Sequence, residues 1–152
     1  MTRHRPSSLL TRLVTRHRAP EITAEIADDA HQVRRYISEN LLLGKMCIEF
    51  APSDKAFASI VSALRIAKLA AEAKSLPTLV RVIDGAEGPL QAILARHQAG
   101  AMRALNTELA TLAAVCQVVL EELDRFDAPD LVLAYQLDRL YREAARQAQQ
   151  PA

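Results

Sequence analysis

The sequence predicts an all-α fold: a bundle of four or five helices, with a long antiparallel helical hairpin at the C-terminal end and a basic N-terminal arm. Three observations predict it. Ala (27) and Leu (21) make up 48 of the 152 residues, and both lose little or no side-chain entropy in a helix. The chain has only four glycines, too few for the many turns of an all-β domain. Seven prolines divide it into segments whose apolar residues recur every three or four positions, the period of a helix with one buried face.

Residues 1–20 form the arm, and residues 21–152 read as one helical domain. From Glu21 to Leu43 the apolar positions are Ile22, Ile26, Ala30, Val33, Ile37 and Leu41, with Gly44 as the expected C-terminal stop. Lys45 to Ala51 is ambiguous, because Met46, Ile48 and Phe50 alternate with Cys47 and Glu49 as in a short strand. A lone strand would leave its backbone unpaired, so a loop or helix extension is expected, with Met46 and Phe50 turned inward.

Ser53 is placed to cap the next helix, which runs to about Ser75 with Phe57, Ile60, Val61, Leu64, Leu69 and Ala73 as its apolar set. Pro77 opens a short helix to Asp84, and Gly85 to Pro89 reads as a loop. A stripe then runs through Leu90, Leu94, His97, Ala101, Leu105, Leu109, Leu112, Cys116, Val119, Leu123 and Phe126. An unbroken helix over 89–126 would span roughly 57 Å, with Gly100 as the place for a bend. Asp127 to Asp130 makes a tight corner, and a last helix from about Ala128 to Gln147 carries Leu133, Leu137, Leu140 and Ala144. These two helices are expected to pair as the hairpin of residues 89–148. The exposed stretch containing Leu90, Leu94, His97, Ala101 and Leu105 is then a candidate interface, with the earlier helices or with a second copy.

Charge is unevenly distributed. The formal net charge is +1, yet the first 20 residues carry Arg3, Arg5, Arg12, Arg16 and Arg18 and no acid. At the other pole, Glu121, Glu122, Asp124, Asp127 and Asp130 face a single Arg125. The arm therefore seeks an anion: nucleic acid, an anionic membrane surface, or an acidic protein patch, including this protein's own. Its Leu9, Leu10, Leu13 and Val14 lie at helical spacing, so the segment resembles a mitochondrial presequence. A cytoplasmic protein with a basic terminus is the simpler expectation, with organellar targeting as the alternative. The longest uncharged apolar stretch, Leu109 to Leu120, is 12 residues, short of the roughly 20 needed to span a bilayer.

Chemical motifs are sparse. Cys47 and Cys116 stand 69 positions apart and define no disulfide framework, which points to a reducing compartment. Asp28-x-x-His31 is a pair related to the Glu-x-x-His of di-metal helical bundles, without a second copy. Gly85 and Gly88 lack the Lys-Ser/Thr of a phosphate loop, and no serine has nucleophile-elbow flanks. His97 has neither the Lys nor the correctly spaced Gly that follows the histidine of a phosphotransfer bundle, and it lies on the apolar stripe. A partly buried structural histidine is expected there. No catalytic residue, metal or cofactor is predicted.

Residues 69–85 resemble a helix-turn-helix. Ala70 falls at the helix crossing, Pro77 and Thr78 open the second helix, and Val80 and Ile83 fall at inner positions. Lys74 and Ser75 replace the usual turn residues, and only Thr78, Arg81 and Asp84 offer polar contacts. The leading expectation is a non-enzymatic interaction protein (an adaptor, regulator or assembly factor) that binds a protein partner or itself through helix faces. The alternative is a DNA-binding regulator or packaging-type protein that uses Thr78, Arg81 and the arginines of the arm. An unrecognised helical enzyme comes third.

Overall fold

The computed structural model describes residues 24–100 and 104–150, and all of its regular structure is helical. The elements are α1 (Ala24–Phe50), α2 (Asp54–Ala73), α3 (Pro77–Asp84), α4 (Glu87–Gln98), α5 (Asn106–Glu122), a 3₁₀ turn (Leu123–Arg125) and α6 (Ala128–Gln149). The arm, with Arg3, Arg5, Arg12, Arg16 and Arg18, lies outside the described residues, as does Ala101.

Helix α1 buries the described part of its predicted stripe: Ala30, Val33, Ile37 and Leu41 are all in the core, while Ile22 and the Ile26 side chain lie outside what is described. Gly44 does not stop it. The helix continues through Phe50, and Gly44 sits in its interior because a Cβ there would lie 3.2 Å from the Ile60 Cβ of α2. The missing side chain lets the two helices approach closely. Residues 45–50 are therefore helical, but turned the other way from expectation. Ile48 is fully buried, whereas Met46 and Phe50 face outward.

Helix α2 starts where predicted, with the Ser53 Oγ accepting a hydrogen bond from the Ala56 amide at 3.1 Å. Its buried face runs through Phe57, Ile60, Leu64, Ala67 and Ala71, packing on α1 on one side and on α3 and α6 on others. Ser75 takes a left-handed φ of 59° in the turn to α3. Pro77 opens α3, which buries Leu79 and Ile83. Helix α4 begins at Glu87, two residues before Pro89, a placement proline tolerates in a helix's first turn.

The predicted 89–126 rod is broken. Helix α4 ends at Gln98, Gly100 adopts φ +80°, and α5 begins only at Asn106. The two pieces pack on each other across the break, held by an ion pair of Arg96 with Glu108, whose carboxylate also accepts the Leu105 amide at 2.8 Å. The break lets Leu90 and Ile93 of α4, and Leu112, Val115 and Val119 of α5, bury separately in one core.

The predicted hairpin is corrected in the same way. The corner at 123–127 is present, but α6 packs along α1 and α2, while α5 packs on α1, α3 and α4. The corner is held from outside: Arg34 donates to the carbonyls of Leu123 (3.3 Å) and Phe126 (2.9 Å), and Lys74 to that of Arg125 (2.6 Å). Helix α6 is also rotated from its expected stripe. Asp130, Leu131, Ala134 and Asp138 face inward, while Leu140 is 61% exposed.

Candidate interaction surface

Two arrangements stand out: a polar cluster inside the α1–α2–α6 contact and an apolar face on the outside of α1. The polar cluster centres on Asp138, which has no exposed surface. Its carboxylate accepts hydrogen bonds from the Ser62 hydroxyl (2.6 Å), Arg65 (2.9 Å) and Arg142 (2.9 Å). The Tyr36 hydroxyl lies 3.0 Å from the Ser62 Oγ, and the Tyr36 and Tyr135 rings meet edge to face. Arg142 lies over both rings, and Arg65 over that of Tyr141. Both carboxylate oxygens of Asp138 and the Ser62 hydroxyl are hydrogen-bonded, so the cluster ties three helices together.

The apolar face arises from the extension of α1. Core-facing Ile37, Leu41, Gly44 and Ile48 define one side of the helix, and at 100° per residue Met46 points directly away from it. Leu42 and Phe50 lie one turn to either side, with Leu43 beside them. These four are 51%, 59%, 53% and 78% exposed for Leu42, Leu43, Met46 and Phe50. Toward α5 the face leads into a groove of about 450 Å³, lined by Leu42, Lys45, Ala113, Ala114 and Leu120. Cys47 is exposed on the flank of the face, and Cys116 is buried beneath the groove, where burial pushes its thiol up to about 11. The N-terminal half of the same outer side is polar, with Asp28, His31, Gln32, Arg35 and Glu39.

The interface residues proposed from the sequence lie elsewhere, and they are scattered. Leu90 is buried in the chain's own core, Leu94 is half-buried, and Leu105 is exposed beyond the break. Leu94 borders an apolar groove of about 370 Å³ between α2 and α4, floored by Phe57, Leu64 and Leu90. His97 is largely buried, with its ring 6.0 Å from that of Phe57 and its Nε2 3.9 Å from Asp54; its Nδ1 has no hydrogen-bond partner.

The 69–85 segment does form two helices joined by a short turn, with Thr78 and Arg81 exposed on α3. Of its two cations, Lys74 pairs with Asp127 at 3.2 Å and Arg81 is exposed; Lys68, just before the segment, pairs with its Asp84 at 2.7 Å, a hydrogen bond that raises the lysine pKa. Asp28 and His31 are both exposed on α1, and no group of three or more His, Cys, Asp or Glu among the described residues is placed to hold a metal ion. No helix among the described residues is long and apolar enough to cross a membrane.

Comparison with protein-family models, with curated proteins and with solved structures finds no match to this chain. The functional reading therefore rests on the geometry alone.

Proposed function

We propose that this chain is a non-enzymatic helical interaction protein, engaging a protein partner or a second copy of itself through the outer face of α1. One observation carries the reading: Leu42, Leu43, Met46 and Phe50 are each more than half exposed on a single face, directly opposite the core. Contiguous apolar surface of this kind costs hydration free energy unless it is covered, and it marks interaction sites on otherwise polar proteins. Residues Arg65, Asp138 and Arg142 serve on this reading as the scaffold that keeps α1 rigid.

The test uses Cys47, which sits on the flank of the face. In cells that make the protein, a covered face slows maleimide labelling of Cys47 several-fold relative to a Phe50→Glu variant. Equal labelling of the two ends the reading.

The DNA-binding alternative draws on the α2–turn–α3 connection and on the exposure of Thr78 and Arg81. It requires duplex affinity that falls steeply with salt and is reduced by Arg81→Ala. No mobility shift at low salt, with protein at tens of micromolar, removes it.

A further inference from the structure

We infer that the occupant of the α1 face is a second copy of this chain, with the two α1 helices packed antiparallel about a two-fold axis through Met46. The inference rests on the reading above and names its partner. Its first support is the symmetry of the face. Leu42 and Phe50 stand four residues before and four residues after Met46, so a two-fold axis at Met46 sets Leu42 opposite the partner's Phe50 and Met46 opposite its own copy. Leu43 falls at nearly the same height as Leu42, on the adjacent side. Each Phe50, the most exposed of the four at 78%, then seats between a leucine pair and a methionine. An isologous contact requires this self-complementarity, since every patch must fit itself.

The second support is charge. Lys45 and Glu49 lie on the same flank of the face, Glu49 is exposed, and neither residue has an ion pair among the described residues. Within one helix, a Lys four residues before a Glu is the weaker orientation of such a pair. The two-fold axis offers a better one. It keeps each flank beside its own copy and reverses the helix direction, so Lys45 comes within two residues of height, about 3 Å, of the partner's Glu49. The reciprocal pair forms at the other end. Both bridges flank the apolar seam, as charged positions do in paired helices. Beyond them the outer side of α1 turns polar at Glu39 and Arg35, which sets the length of the contact.

The experiment is light scattering and sedimentation of the full chain over a range of concentrations. The wild type forms a concentration-dependent dimer. Phe50→Glu is monomeric with unchanged helical circular dichroism, as its site points away from the core. Lys45→Glu and Glu49→Lys each weaken the dimer, and the double charge reversal restores it. A short bis-maleimide joins two copies through Cys47 in the wild type and fails to do so in Phe50→Glu. A monomer at every concentration overturns the inference, as does a dimer indifferent to Phe50→Glu and to both charge reversals. A monomeric purified protein whose Cys47 is shielded in cells overturns self-pairing alone and leaves the wider reading standing. Unshielded Cys47 in cells ends both.

Discussion

Asp138 and Ser62 meet at 2.6 Å in the middle of the α1–α2–α6 contact, 76 residues apart in sequence and both buried. The carboxylate would be costly there alone. Arg65 and Arg142, each about one third exposed, supply the opposing charge from the rim while keeping their outer atoms in water.

Replacing Asp138 with Ala removes the shared acceptor of Ser62, Arg65 and Arg142. Breaking a fully buried pair costs about 3–5 kcal/mol; here the two guanidinium groups can turn to water, so about 2–4 kcal/mol is expected. Asp138→Asn keeps the shape and the Ser62 contact and loses less. Urea unfolding of both variants checks the order.

Glycine substitutions should split by sign. At Gly44 a side chain meets Ile60 within the helix crossing, so Gly44→Val destabilises by about 1–3 kcal/mol through overpacking. At Gly88 no atom lies within 4 Å of an added Cβ, so Gly88→Ala stabilises by about 0.5 kcal/mol through helix propensity. Thermal unfolding midpoints moving in opposite directions would bear this out.

Gly100 holds φ +80° at the end of α4, a conformation that costs an L-residue about 1–2 kcal/mol. Gly100→Ala should destabilise by that amount although its Cβ would meet nothing. An unchanged unfolding free energy would mean that α4 and α5 do not depend on that turn.

The two thiols should behave differently. At pH 8, native protein reacts with one equivalent of a thiol reagent, at Cys47, and unfolded protein with two. Burial raises the Cys116 thiol from 9.0 to about 11. The unfolded chain therefore releases that proton first as pH rises, and stability falls between pH 9 and 11. The full loss is up to about 2–3 kcal/mol. Denaturant titrations of wild type and Cys116→Val across that range isolate the effect.

Much of the fold was legible because most helices bury an unmixed apolar stripe. Ala30–Val33–Ile37–Leu41 and Leu112–Cys116–Val119–Leu123 are core as their spacing predicts, and Ser53 caps where its position says it should. The failures have physical causes. Asp138 lies inward because Ser62 and Arg65 of α2 reach it from 76 and 73 positions away, which no local pattern shows, with Arg142 adding an i,i+4 pair, and α6 is turned away from its leucine stripe. Gly44 reads as a helix stop, but its hydrogen is needed to admit Ile60. Residues 45–50 looked strand-like because α1 is apolar on both faces there. A second stripe at Leu42, Met46 and Phe50, offset from the first, was the available signal for the candidate surface.

The grip of Arg34 on the carbonyls of Leu123 and Phe126 also has a temporal side. Its acceptors lie 89 and 92 residues downstream, so during synthesis at about 5–20 residues per second the arginine is made roughly 5–20 s before either exists. Through that interval the inner side of α1 can be covered by α2 alone, since α5, the corner and α6 are still to come, and its outer side is greasy. Chaperone occupancy on ribosome-bound chains should therefore rise once α1 has emerged and fall only after the 123–126 corner has followed it.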